Sequence, residues 1–378
     1  QASISGRLPG LKATVKAQSR PCPAGMLKGE SMAFVVDEEL RKNKIDVHAH
    51  FHSPELIKGL ERIAGTLEGS GVALLKRKGE TVMQQFTAEE RVRWMDRFGI
   101  ERSVLSFPSV SLYLGDEREV ERPVERKEVC RFLNDLFAET HAKQPKRLHF
   151  FADVPLAVDV EFSCKELHRA VDDLGLQGVA IQSNLGGRLP SEPQFEEFFA
   201  EAAKMGVPIF MHPHAPYGRE KMMKYWVFAI VGFTADVCLA ATYMILDGFM
   251  ERHPKIKIIL PHLGGTLPYL SRRLTVFTEA GGADPVLTGR SNLSKEPPEY
   301  LKHFYYDTAL GHSAALELCA KVVGTDRIIF GTDHPYVDSC EARTIDYISR
   351  TSLTVVERDR IYSENARALF GFTDSPLR

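Results

Sequence analysis

From Lys44 onward, short runs of β-branched and apolar residues recur, with longer mixed stretches between them. In order, the runs are KIDVHAH at 44–50, ERSVLSFP at 101–108, RLHFFADVP at 147–155, LQGVAIQS at 176–183, VPIFMH at 207–212, KIKIILPH at 255–262, HFYYDTAL at 303–310 and DRIIFGTD at 326–333. Each has the length and residue types of a buried strand. The stretches between them predict helices over 87–98, 124–142, 162–174, 194–204, 234–252 and 313–323. Thr87 is the expected N-cap of the first helix, since its hydroxyl can accept an orphan backbone N–H. Gly99, Gly175 and Gly206 are expected stops, because glycine takes up the left-handed backbone that ends a helix.

Strands that alternate with helices predict a parallel sheet with helices outside it. Eight strands is the count that a closed (β/α)8 TIM barrel requires, so the fold class is α/β, one barrel domain over 44–378 with an insertion after the first strand. A doubly wound open sheet shares the alternation, but it does not gather the ends of strands one, five, six and eight around one point. Residues 1–43 form an N-terminal arm or leader, expected to be disordered or peripheral. Within it, Arg7, Lys12, Lys16, Arg20 and Lys28 precede any acidic residue, as in a transit peptide or a disordered basic arm.

The 378 residues carry a formal net charge of -2. That gives no electrostatic basis for binding nucleic acid or an anionic membrane, and points to small-molecule partners. Cys22, Cys130, Cys164, Cys238, Cys319 and Cys340 are scattered without a CxxC pair. This suits a reducing compartment without disulfides, and hence the cytoplasm, or an organelle if residues 1–43 hold a transit peptide. The most apolar stretch, Tyr225 to Met250, is interrupted by Asp236 and Asp247. It is expected as a buried helix, with Tyr225 and Trp226 in the core, and not as a membrane span.

Strand alternation places Asp46, His48 and His50 on one face of the first run. A His-Ala-His pair alone is as easily the polar face of a surface strand. Neutral imidazoles are good zinc ligands, however, and a catalytic zinc takes about three protein ligands and one open position. His212, His262 and Asp333 end the fifth, sixth and eighth runs, where a barrel carries its active site. Three imidazoles, a carboxylate and a further base are the donor types of a mononuclear hydrolytic or decarboxylating metal centre. His212 and His214 flank Pro213, and either can face inward. His334 follows Asp333 directly and is expected to point away from the site, His52 lies on the pocket wall or the surface, and Asp307 is a polar strand position with no role assigned.

The motifs IDVHAHF at 45–51, PIFMHPHAP at 208–216, KYWVFAIVGFTADVCLA at 224–240, PKIKIILPHLGGTLPYLSRR at 254–273 and FGTDHPY at 330–336 resemble the amidohydrolase superfamily. Within it, their order resembles the aminocarboxymuconate semialdehyde decarboxylase-like branch, which includes aromatic acid decarboxylases. The resemblance implies His48, His50, His212 and Asp333 as metal ligands, with Asp333 also catalytic, and leaves His214 to contact substrate. It makes His262 the acid or base beside the metal-bound water. Arg273 matches an arginine that reaches the neighbouring subunit's site to hold a substrate carboxylate, which implies a homodimer. A second arginine of the branch, on the loop after the first strand, has no aligned counterpart among Lys76, Arg77 and Lys78. The implied metal is Zn2+, with Mn2+ as alternative. The implied reaction is non-oxidative decarboxylation of an unsaturated or aromatic carboxylic acid, of aminocarboxymuconate semialdehyde or hydroxybenzoate type; the alternative is a metal-dependent hydrolase of a lactone or amide, or a hydratase. A third possibility from another class is an idle barrel that serves as a scaffold around a structural metal.

Overall fold

A computed structural model of the chain describes residues 37–64, 76–77, 80–81, 86–107, 121–280, 292–336 and 340–373. Eight parallel strands pair in chain order: β1 Lys44–His50, β2 Ile100–Ser106, β3 Leu148–Asp153, β4 Gly178–Gln182, β5 Pro208–His212, β6 Lys257–Leu260, β7 Phe304–Asp307 and β8 Ile328–Ile329. The ring closes where the segment after β8 meets β1. Val47 N–H donates to Phe330 O at 3.0 Å, Thr332 N–H to His48 O at 3.0 Å and His50 N–H to His334 O at 2.7 Å. The architecture is the (β/α)8 barrel that the strand count predicted.

Alternation sorts the apolar side chains into two cores. Ile45, Val47, Val104, Phe151, Phe210, Ile259 and Ile329 fill the barrel interior and pack with Ala366 and Leu369 of the helix Asn365–Phe370. Leu105, Phe150, Met211, Ile258 and Leu260 face the surrounding helices. Helix Ala88–Asp96 starts as expected at Thr87, whose hydroxyl accepts Glu90 N–H at 3.2 Å while the Glu90 carboxylate accepts Thr87 N–H at 2.9 Å. Gly206 ends helix Glu196–Met205 with φ 69°.

Four expectations change. β8 has two residues in place of the eight of DRIIFGTD: Asp326 and Arg327 belong to the 3-10 turn Thr325–Arg327, and the run ends in a left-handed residue, Asp333 at φ 64°. Residues 37–41 of the presumed arm form a helix with Glu39 buried. Lys44 Nζ ties it to the barrel by donating to Glu39 O at 2.6 Å and Phe98 O at 3.1 Å. The apolar stretch is buried on one face only. Lys224–Leu246 is long and apolar enough by composition to cross a membrane; Val237, Ala241 and Met244 pack against the barrel, while Tyr225 and Trp226, expected in the core, are 74% and 58% exposed. The fourth change is in β1 and concerns the site. Of the insertion after β1, the helix Pro54–Ala64 and an antiparallel pair, Lys76–Arg77 with Glu80–Thr81, are described; Lys78 lies outside the described residues. Cys130, Cys164, Cys238, Cys319 and Cys340 are free and buried, and Cys22 lies outside the described residues.

Candidate metal centre

Strict alternation along β1 would put Asp46 beside the two histidines. Instead, three residue steps on β1, from Asp46 to Ala49, span two on β2, from Ser103 to Leu105. This is a β-bulge, which inserts one extra residue and re-aims the side chains beyond it. Ile45 and Val47 point into the barrel, Asp46 turns outward, and His48 and His50 both enter the mouth. Gly331 allows the closing segment to pass here, since a Cβ at that position would lie 2.7 Å from His48 Cβ.

Alternation without irregularity delivers His212 from β5 and Asp307 from β7. Ligand atoms of His48, His50, His212 and Asp333 all lie within 4.8 Å of one another, and all four residues are buried. Asp333 Oδ1 is 3.0 Å from His50 Nε2 and 3.3 Å from His48 Nε2. Behind the cluster, His48 Nδ1 meets Asp307 Oδ2 at 2.7 Å and His50 Nδ1 meets Ser106 Oγ at 3.0 Å. An imidazole that donates from Nδ1 to a carboxylate presents its Nε2 lone pair inward, the tautomer a metal needs.

The donor set fits a divalent cation. His212 Nδ1 is buried without a hydrogen bond, and a buried polar atom left so costs on the order of 1–3 kcal/mol. Burial holds His50 down at about 4 and His212 well below 6.5, so both are neutral, the ligating form. His48 is the exception. Against the effect of burial, Asp307 and Asp333 carry it up to about 10, so that its proton supplies the positive charge the carboxylates call for. Burial would raise Asp333, but His48 and His50 hold it well below 3.8. His48, His262 and Asp307 form a second close group, but the Asp307 oxygens are already committed. Oδ2 faces His48, while Oδ1 accepts the N–H groups of His262 at 3.0 Å and Ala309 at 2.9 Å.

His262 stands beside this cluster, its ring centroid 5.0 Å from that of His48 and 6.4 Å from that of His212. Its Nδ1 lies 3.3 Å from Ala309 O, a carbonyl that can only accept, so the proton sits on Nδ1 and Nε2 keeps its lone pair. His262 and Leu263 have φ of 55° and 56°, a left-handed turn that costs about 1–2 kcal/mol per residue. The glycines that follow make it feasible: a Cβ on Gly265 would lie 2.1 Å from Thr234 O. Burial and the neighbouring His48 hold His262 below 6.5.

The structure thus brings together His48, His50, His212, His262 and Asp333. It does not bring in His214, which is buried near Asp236 on the far side of Pro213, or Arg273, which is exposed on helix Leu267–Ala280 with its guanidinium 4.8 Å from the Phe277 ring centroid. Asp307 was legible as a polar residue at a strand end, but its partner on β1 was not. Tyr336, at 4.9 Å from His50 between ring centroids, ends the FGTDHPY motif and was given no role from the sequence. His52 is buried against Phe107 and Tyr336. A small hollow opens beside His212, walled by Phe107, Val154, Leu156, Ile181 and Leu185, with the Arg126–Asp153 pair at its edge.

A parallel barrel with imidazoles and a carboxylate gathered at the C-terminal ends of its strands has the framework of a metal-dependent enzyme. The chain belongs to the amidohydrolase family, whose profile matches residues 45–372. It is 32% identical over 216 residues to a 2-amino-3-carboxymuconate-6-semialdehyde decarboxylase of Dictyostelium discoideum, an alignment that covers 57% of this chain and 58% of that protein. It is 28% identical over 341 residues to a gamma-resorcylate decarboxylase of a Rhizobium species, covering 87% of this chain and 98% of the relative. The solved structure of a dihydroxybenzoic acid decarboxylase from a Polaromonas species, with bound manganese and the inhibitor 2-nitroresorcinol, superposes with a TM-score of 0.71 at 25% identity, covering 88% of this chain and 98% of that one.

Proposed function

We propose that this chain is a metal-dependent, non-oxidative decarboxylase of an aromatic or unsaturated carboxylic acid. The observation that carries this reading is the buried donor cluster of His48, His50, His212 and Asp333 with the His262 lone pair beside it, in a family whose relatives reported above are decarboxylases. A divalent ion held by these four residues would act as a Lewis acid on the substrate's carboxylate or an adjacent oxygen. Zn2+ is the favoured ion and Mn2+ the alternative; the manganese in the Polaromonas relative supports the latter.

The chain's own residues supply the remaining chemistry. Asp307 fixes the tautomer and angle of His48 and anchors the His262 backbone. His262, neutral at pH 7, can take a proton at Nε2 from an acidic O–H or N–H group of the substrate and return it to the ring or alkene carbon. A C–H bond forms there, the neighbouring C–C bond breaks, and its electron pair restores the conjugation as CO2 leaves. The apolar wall of Phe107, Leu156, Ile181 and Leu185 suits a planar ring and favours loss of charge from the carboxylate. Tyr225, Trp226, Ile230, Tyr269 and Phe277 form exposed apolar surface on two helices. It supports a homodimer in which Arg273, beside Phe277, reaches the neighbouring site; a monomer in sedimentation equilibrium would remove that part. The buried free thiols suit a reducing compartment such as the cytoplasm.

The test is metal analysis of the purified protein together with CO2 release from hydroxybenzoates and aminocarboxymuconate semialdehyde. About one metal per chain is expected, with CO2 from at least one acid. Bound metal with a ring-opened or hydrated product would replace the decarboxylase with a hydrolase or hydratase, and absence of metal would undo the site assignment.

A further inference from the structure

On the helix side of the junction between β8 and β1 lies a second group of buried polar residues that the chemistry above does not use. The bulge turns Asp46 into it. Asp46 Oδ2 accepts Thr332 Oγ1–H at 2.7 Å, and Oδ1 accepts the N–H groups of Thr332 at 3.1 Å and His48 at 3.2 Å. One carboxylate thereby grips both the backbone of His48 and the residue before Asp333. Arg91, on helix Ala88–Asp96, reaches into the same space and is completely buried. Its Nη1 donates to His334 Nδ1, and its Nη2 lies 3.9 Å from Asp46 Oδ2. The far nitrogen of His334 is 3.5 Å from Glu341 Oε1, which also accepts Trp94 Nε1–H.

Both neighbours of Asp333 are therefore held, Thr332 by Asp46 and His334 by Arg91. Asp333 itself has φ 64°, a conformation that persists only where its surroundings over-determine it. Without that hold, the turn can relax to an ordinary backbone, and the carboxylate leaves its place beside His48 and His50. We propose that Arg91 is a positioning residue for the metal centre: together with Asp46 it locks the Thr332–Asp333–His334 turn so that the Asp333 carboxylate faces the imidazoles before a cation binds. This rests on the metal-centre assignment above. Arg91 touches neither cation nor substrate. Its contribution is that the carboxylate need not be ordered at the moment of binding, which is how preorganisation raises affinity. Lysine cannot substitute, because one ammonium on a single stem does not reproduce a planar fork that meets His334 and Asp46 together.

The test compares wild type, Arg91→Lys, and a double variant, Arg91→Met with Asp46→Asn. The first keeps the buried positive charge, and the second removes Arg91 together with the Asp46 carboxylate it faces. Asn134→Ala is the control. It breaks a buried network in which Asn134 Nδ2 donates to Asp153 O at 3.0 Å and Glu166 Oε1 at 2.8 Å, none of whose members is a proposed ligand. Metal-stripped proteins are titrated with Mn2+ and with Zn2+ against a chromophoric chelator, and the thermal midpoint of each stripped form is measured alongside. Both Arg91 variants are expected to bind either ion about 10–100-fold more weakly than wild type, the range found for partners behind metal ligands. The control should lose thermal midpoint and keep its affinity. Unchanged affinity in a folded Arg91 variant overturns the inference, as does an equal loss in Asn134→Ala, since affinity would then merely follow stability. If wild type itself takes up neither ion, the metal-centre assignment falls and this inference with it, whereas a failure confined to the Arg91 variants leaves that assignment standing.

Discussion

The barrel wall from β2 to β7 and the junction where β8 meets β1 are built by the same chain but obey different rules. Along the wall, strands pair in order and side chains alternate without interruption: Phe151 and Phe210 point inward, Ala152 and Met211 outward. At the junction, β1 carries a bulge, β8 stops after two residues, and Asp333 sits in the left-handed region. Three of the four proposed ligands, His48, His50 and Asp333, lie at that irregular seam, and only His212 comes from the regular wall. Regular pairing makes a stable ring, but it spaces side chains by the pleat. Bringing two imidazoles and a carboxylate within 4.8 Å of His212 draws on the local departures found at the seam.

The sharpest way to break this contrast is to remove a donor from each side. Asp333→Ala and His212→Ala should both abolish CO2 release and reduce bound metal to near zero, as measured by elemental analysis of dialysed protein. The metal-free variants should differ in stability. In Asp333→Ala, the raised pKa of His48 loses one of its two carboxylate supports. That support is complete below the unfolded-state pKa of about 6.5 and is lost as pH rises through the folded value. The thermal deficit of Asp333→Ala against wild type, both stripped of metal, should therefore be larger at pH 6 than at pH 10. His212→Ala, which removes a neutral imidazole, should show much less dependence on pH.

The wall was the legible part. All eight strands and the helix caps at Thr87 and Gly206 followed from hydrophobic period and local chemistry, because those signals are contained in a few consecutive residues. The candidate donors were legible for a related reason: a histidine or aspartate at a strand's C-terminal end is visible without knowledge of its partners. The bulge was not. It shifts Asp46 on β1 against Ser103 on β2, a partner far off in sequence, so alternation assigned Asp46 to the wrong face. Asp307 and Arg91 escaped for the same reason, since their partners, His48 and His334, are far off in sequence. Tyr225 and Trp226 were misplaced because an apolar stretch looks alike whether one of its faces meets the core or both do.

A second, smaller effect separates holding the metal from moving the proton. His262→Ala should keep metal near one per chain, since His262 is outside the donor set, and lower kcat by about 10²–10⁴-fold, the usual worth of a positioned acid or base. In wild type, kcat/KM should rise with pH through the His262 pKa and level off above it, because the protonated imidazole cannot accept a proton. Burial and His48 place that limb below 6.5, and its disappearance in His262→Ala assigns it. A limb that persists in the variant moves the role to another group.

The smallest expected effect is also the most direct comparison of the two regions, because it makes the same substitution in each. Gly178 begins β4 in the wall, where an added Cβ would lie 2.3 Å from Pro208 O; Gly331 lies at the seam, where it would meet His48 Cβ at 2.7 Å. Either alanine forces its neighbours to shift, and overpacking of this kind costs about 1–3 kcal/mol. Chemical denaturation should therefore show similar losses for Gly178→Ala and Gly331→Ala. Metal affinity should not move in parallel. The displaced neighbour in the wall is a backbone carbonyl remote from the donors, whereas at the seam it is a proposed ligand, so only Gly331→Ala should weaken binding. Equal affinities in the two variants would mean that the site tolerates movement of β1, and that its irregular backbone serves closure of the barrel instead of the metal.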